Sequence, residues 1–299
     1  MFKDIKIGTN LYRFTDFSTD FRESVAFVQT AEAIGFNHVR FLDHVVGIVA
    51  ERHGGIAQTP YTSKSVIREC FSLMTYLSAV TSKIELMTGV LVLPQRQTAL
   101  IAKQAAEIDI YSGGRLKLGV GLGYNQVEYE AMGVDFKKRV SLFEEQVHVL
   151  RMLWCDEEVN FEGKYHKLTD VSLSPRPLQR PIPLFFGMGR SIAPIPPDPV
   201  LERCGRLADG WIPIFGPDEE GRKAVEKVHN AARDAGRDPS KIIMEMGVRA
   251  TGQSDQEIID AIKRCRDFGA QRINLEAVGK SAAEQIDFIK RMADVLQLG

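Results

Sequence analysis

The chain has only four cysteines in 299 residues, and Cys70, Cys155, Cys204 and Cys265 stand far apart with no C-x-x-C pair. That spacing suggests neither a zinc ribbon nor a thioredoxin-type centre, and the four read as reduced, mostly buried thiols. No apolar run approaches the roughly 20 residues needed to cross a bilayer. The opening MFKDIKIGTN enters a strand without the basic leader and apolar core of a secretory signal, so a cytoplasmic location is expected. A dominant charge is missing too. The net charge is −1 and Lys and Arg are interspersed with Asp and Glu, which gives no basic field for nucleic acid. No internal repeat beyond a βα unit and no low-complexity tract occur.

Several catalytic signatures are also absent. Counting from Gly119, the dinucleotide pattern G-x-G-x-x-G needs glycine where Tyr124 stands, and counting from Gly187 it needs one at Ile192. There is no G-x-S-x-G nucleophile elbow. Zinc-dependent barrels usually open with two close histidines on one strand. Here His38 and His44 fall at opposite ends of theirs, and His148, His166 and His229 lie in helices or an insertion. No metal site is expected.

What is present is a long alternation of strand and helix. Hydrophobic content of 44% gives ample material for a core, and the chain reads as one domain over residues 1–299. Its centre is the stretch 84–125. An apolar β-branched strand at 84–90 is interrupted by Gly89. A helix runs from Thr98 to the stop Ser112-Gly113-Gly114, with Leu100, Ile101, Ala105 and Ile108 at helical spacing, and a strand at 116–122 lacks polar alternation. The other strands are expected at 5–10, 38–44, 183–186, 210–215, 242–248 and 272–277. Helices are expected at 21–34, 66–80, 124–154 with a break near Gly133, 200–207, 218–235, 255–268 and 282–296. In the first of them Phe21, Val25, Val28 and Ala31 form the apolar stripe. About eight strands alternating with about eight helices is the pattern of a (β/α)8 TIM barrel. A doubly wound open sheet is the alternative, and the missing nucleotide fingerprint counts against it. Two stretches exceed ordinary connections: residues 45–64 after the second strand, a candidate lid or binding loop, and 156–180 before the fifth, whose PRPLQRP ending should be extended.

In a barrel the chemistry gathers at the carboxyl ends of the strands. Asp43-His44 ends the second, and an imidazole beside an acid can exchange protons near neutral pH. Neighbours on a strand point to opposite faces, so both reach the mouth only if the strand has already bent. A histidine hydrogen-bonded within its loop is the plainer reading. Gly89, Gly121 and Gly123 sit where a flat ring could approach bare backbone, or where they merely ease packing. Gly187-Met188-Gly189-Arg190-Ser191 offers main-chain N–H groups plus arginine and serine donors suited to a dianion, or is a plain loop.

The run TGVLVLPQRQTALIAKQAAEIDIYSGGRLKLGVGLGYNQVEYEAMG, with FLDHVVG, EEQVHVLRMLW, VNFEGKYH, PRPLQRPIPLFFGMG and ADGWIP, resembles the bacterial luciferase-like monooxygenase superfamily, in particular its F420-dependent oxidoreductase branch. The likeness extends to about Phe215; beyond it only the layout is shared. The resemblance implies a TIM barrel with a deazaflavin or flavin across its carboxyl end. It implies that His44 lies over the ring and takes part in proton transfer, that Asp43 contacts the cofactor, and that a cis peptide between Gly89 and Val90 bulges against the ring centre. Thr88 would serve the ring's polar edge, Leu122 and Gly123 would border it, and Gly187, Met188, Gly189, Arg190 and Ser191 would hold the phosphate. The proline-rich run after Ser191 departs from the family, because a helix would usually begin sooner. Tyr124 stands where relatives carry an acid or an aromatic, and the missing acid argues against a glucose-6-phosphate dehydrogenase type of mechanism. The activity implied is hydride transfer between F420 and a small organic substrate, with His44 as proton relay. An FMN-dependent monooxygenase using O2 is the alternative, and a catalytically silent flavin-binding barrel is another. A homodimer is the assembly the family suggests, with no nucleic acid and no membrane as partner.

Overall fold

The computed structural model describes residues 2–11, 20–49, 52–53, 61–190 and 192–299. Its strands are β1 (Lys6–Leu11), β2 (His38–Phe41), β3 (Glu85–Thr88), β4 (Leu91–Val92), β5 (Leu116–Gly121), β6 (Val159–Glu162), β7 (Lys167–Val171), β8 (Leu184–Met188), β9 (Gly210–Pro213), β10 (Ile243–Val248) and β11 (Arg272–Leu275). The helices are α1 (Phe21–Ala33), α2 (Cys70–Val80), α3 (Thr98–Tyr111), α4 (Gln126–Ala131), α5 (Arg139–Cys155), α6 (Asp198–Leu207), α7 (Glu219–Asp234), α8 (Asp255–Phe268) and α9 (Ala282–Leu296). Strand β1 pairs in parallel with β2 on one side and β11 on the other. The remaining parallel pairs run through β3 and β4, β5, β8, β9 and β10, which closes the sheet into an eight-stranded barrel with β3 and β4 sharing one position. No described helix is long and apolar enough to cross a membrane.

Side-chain chemistry sets most boundaries. Helix α2 begins at Cys70 rather than at residue 66 because the Glu69 carboxylate accepts the Ser72 N–H, capping the helix there. Helices α4 and α5 are separated at Gly133, whose φ of +69° favours glycine. Ser254 and Glu257 form a reciprocal capping box at the start of α8. Helix α1 turns Ser24, Phe27, Val28 and Ala31 inward, whereas Phe21, expected on that stripe, is exposed and meets Tyr76 edge to face at 5.4 Å. Two strands and one connection depart from the periodicity in ways that matter for the site. Strand β2 stops at Phe41, so Asp43 and His44 lie in the loop beyond it. The stretch 84–90 is cut at a cis Gly89–Val90 bond, and pairing to β5 resumes only in β4. Residues 156–180, expected as an insertion with an extended PRPLQRP ending, carry ahead of that ending the antiparallel hairpin β6–β7. Glu145 on α5 clasps that hairpin by accepting the N–H groups of Lys164, Tyr165 and His166.

The larger core lies between helices and sheet, and a smaller one fills the barrel with Met87, Phe185 and Ile212 against Val90 and Ile243. Toward the amino ends of the strands the filling becomes charged. Arg272 donates to Glu245 Oε2 at 2.7 Å and to Glu85 Oε2 at 2.6 Å, and Arg40 Nη1 lies 3.2 Å from Glu245 Oε1. Burial would raise the Glu245 carboxyl, but the charges around it hold it well below the usual carboxylate range. Burial, with Arg272 adding to it, pushes His38 below its ordinary value, so a neutral ring sits 3.1 Å from an ionised Glu245. This salt-bridged floor leaves the opposite rim for chemistry.

Candidate active site

The rim is built from segments that follow β2, β3, β5, β8 and β9. Leaving β2, the chain brings His44 into contact with Glu128 on α4 and with Tyr61 farther along the same connection. Its imidazole Nδ1 lies 3.2 Å from Glu128 Oε2. Its ring stacks on Tyr61 with centroids 3.7 Å apart and 29° between planes. Glu128, which is 1% exposed, also accepts the Val45 N–H through Oε1 at 2.9 Å. A carboxylate is acceptor-only, so Nδ1 is the donor to it. Among the described residues no hydrogen-bond partner faces Nε2. Asn125 caps α4, accepting the N–H groups of Val127 and Glu128, and its Nδ2 donates to the Tyr61 hydroxyl at 3.0 Å. A carboxylate, an imidazole with one nitrogen open and an aromatic floor are thus assembled, a set able to accept or deliver one proton.

Glu128, Tyr61 and Asn125 do not stand out in the sequence. One signal was there to be used: Asn125-x-x-Glu128 is the spacing of a capping box, in which the glutamate ordinarily turns back to the N–H of its own cap. Here it reaches across to another strand's loop instead.

The other expected site residues divide. Asp43 sits next to His44 but faces other partners. One of its oxygens accepts the Val92 N–H at 3.0 Å, the other takes Arg96 and the Cys70 thiol, and the residue is 2% exposed. Through the Val92 bond Asp43 ties the segment after β2 to β4. Asp43, Glu69 and Cys70 bring potential ligand atoms within 4.8 Å of one another, but Arg96 pairs with both carboxylates and supplies the positive charge a metal would bring. Burial, with Asp43 adding to it, raises the Cys70 thiol well above its ordinary value, so it stays protonated and donates. The Thr88 hydroxyl is fully buried and donates to the Gly119 carbonyl at 2.6 Å, a strand-to-strand bond rather than a contact at the rim. Gly89 donates its N–H to the Phe41 carbonyl at 2.6 Å.

Val90 changes the meaning of the strand-end glycines. A Cβ on Gly121 would stand 2.7 Å from Val90 Cγ2, and one on Gly187 2.6 Å from Val90 Cγ1. These two glycines therefore make room for the bulged isopropyl group, and do not themselves offer bare backbone to a ring. The Gly89–Val90 bulge is itself half-buried. Leu122 is half-buried at the same rim and its carbonyl accepts the Tyr129 hydroxyl, while Gly123, with φ of +63°, comes close to Val92.

At the end of β8, Met188 turns its side chain into the outer core. Gly189 packs beneath Ile214 and the Pro194 carbonyl. The Arg190 and Ala193 backbones bond each other reciprocally, at 3.0 and 2.8 Å, so the Arg190 amide is occupied and its exposed side chain is what remains for an anion. Ser191 lies outside the described residues. Helix α6 begins only at Asp198, after the proline-rich run.

Comparison with known proteins agrees with this architecture. A model of the luciferase-like monooxygenase family matches residues 7–294. An uncharacterised protein of Mycobacterium tuberculosis is 30% identical over 86% of this chain and 86% of its own length. The F420-dependent glucose-6-phosphate dehydrogenase of Amycolatopsis mediterranei is 26% identical over 93% of this chain and 78% of its own. The FMNH2-dependent dimethylsulfone monooxygenase of Pseudomonas putida is 31% identical over 59% of this chain and 49% of its own. The family thus contains both F420-dependent oxidoreductases and FMNH2-dependent monooxygenases, and with a match to nearly its whole length this chain belongs to the luciferase-like monooxygenase family.

Proposed function

We propose that the protein is an oxidoreductase that passes a hydride between F420 and a small organic substrate at the carboxyl rim of the barrel, with His44 moving the accompanying proton. The observation that carries this reading is the arrangement of His44, whose Nδ1 is held by Glu128 while Nε2 has no partner among the described residues. The 26% identity to an F420-dependent dehydrogenase, extending over 93% of this chain, supports the choice of cofactor. When bound, a deazaflavin supplies two-electron hydride chemistry. The rim suits a flat, largely apolar ring with an anionic tail. Val45, Val46, Tyr124, Ile192, Ile195 and Ile214, in the segments after β2, β5, β8 and β9, keep large apolar side chains exposed, and Arg190 adds a cation to the same rim. The Gly89–Val90 bulge would carry the ring, the apolar side chains would exclude water from it, and Arg190 would bind the phosphate. His44 would take a proton at Nε2 or return it as substrate is oxidised or reduced.

The identity to an FMNH2-dependent monooxygenase favours a second reading, oxygenation with reduced FMN. Titration separates the two. Purified protein should quench F420 fluorescence in a saturable way and leave FMN unchanged. The reverse pattern would establish the second reading, and failure of both cofactors to bind would overturn the redox assignment.

A further inference from the structure

We infer that Glu128 is a positioning residue that fixes the tautomer of His44, holding the proton on Nδ1 so that Nε2 faces the rim as a lone pair. This deepens the function proposed above and rests on it for its catalytic consequence, although the tautomer does not depend on any cofactor. Two donors converge on the buried carboxylate: the Val45 N–H at 2.9 Å on Oε1 and His44 Nδ1 at 3.2 Å on Oε2. The first is a backbone amide and can only donate, so Oε1 is always taken. The second oxygen, being acceptor-only, selects the imidazole form with hydrogen on Nδ1. Ring rotation is opposed from the side, because Tyr61 stacks on the imidazole at 3.7 Å and is itself held through its hydroxyl by Asn125. Glu128 sits at the third position of α4, where its backbone N–H is already capped by Asn125, so the side chain is available to work at a distance.

The substitution Glu128→Gln tests this with little change of volume. An amide has one acceptor oxygen where the carboxylate has two. The Val45 N–H must keep it, which turns the NH2 toward His44, makes Nδ1 the acceptor and moves the proton to Nε2. The imidazole then keeps its position but can no longer accept a proton where the reaction needs it, the situation of a catalytic histidine in the wrong tautomer.

The experiment is long-range 1H–15N correlation of the histidine rings in the full-length protein without cofactor, with His44 assigned by its loss in a His44→Gln variant. Wild type should show the Nδ1–H tautomer and Glu128→Gln the Nε2–H tautomer, and with F420 present the variant should turn over about 10²-fold or more slowly with its cofactor affinity kept. A wild-type ring protonated on Nε2 overturns the inference whether or not the variant folds, and so does a folded variant whose tautomer is unchanged. Because the spectrum needs no cofactor, these outcomes are distinct from a failure of the F420 reading, which the titration reports.

Discussion

Replacing His44 with alanine should lower turnover by roughly 10²- to 10⁴-fold, the range typical for a lost general acid–base, while F420 affinity changes little. The asymmetry follows from what the ring touches. His44 is held from below by Tyr61 and from its Nδ1 side by Glu128, and both interactions position the side chain rather than the rim. The surfaces assigned to the cofactor, Gly89–Val90 and Arg190, remain in place without it. Loss of the imidazole therefore removes a proton-transfer partner without removing the platform. Measuring kcat on any substrate that changes the redox state of F420, beside the dissociation constant from fluorescence quenching, separates the two quantities. A variant with unchanged kcat would remove His44 from the mechanism, and a variant that lost binding and turnover together would make it a structural support.

Exchanging Arg272 for methionine should destabilise the fold by roughly 3–5 kcal/mol, the cost of breaking a buried ion pair from one side. Arg272 is 3% exposed and donates to two carboxylates on different strands, Glu245 on β10 and Glu85 on β3. Without it Glu245 is left with Arg40 and His38, and Glu85 with Lys6 and the charge of Lys117. The deficit should depend on pH in a defined direction. Burial pushes the Glu85 carboxyl up, but Arg272 and Lys6 outweigh it and hold it down at about 2, against an ordinary 4.5. A carboxyl lowered on folding contributes stability that is fully present above its unfolded value and is lost as pH falls through the folded one. The gap between wild type and Arg272→Met should thus be widest at neutral pH and narrow between about 4.5 and 2. Urea unfolding at pH 7 and at pH 3 measures it. A deficit below about 1 kcal/mol, the level of exposed pairs, or one that ignores pH, would show that the floor is not what holds these strands together.

The barrel was legible because its strands are covered on both faces and so appear as unbroken apolar runs such as 116–122, spaced by helices with clear stripes. What local pattern could not show is the direction in which charged residues inside those runs point. His38, Arg40, Glu245 and Arg272 occupy positions within β2, β10 and β11. Each is tolerable only because strands far apart in sequence bring the others beside it. The same limit governs the site. His44 was legible as a titratable residue at a strand end, and its partners were not, since Glu128 reaches it from helix α4 beyond β5 and Tyr61 from seventeen residues farther along its own connection. Asp43 shows the converse: it is adjacent to His44 in sequence, and the bend after Phe41 sends it to Val92 and Arg96. The glycines misled for a related reason. Gly121 and Gly187 have no side chain because Val90 occupies that space, a contact that depends on the bulge between β3 and β4.

The structure of the protein crystallised with F420 tests the central claim most directly. The account predicts the deazaflavin ring against the Gly89–Val90 bulge with His44 Nε2 within about 3 Å of the ring or of a substrate lying on it. A ring bound elsewhere, or one that leaves Nε2 turned away behind Tyr61, would contradict it.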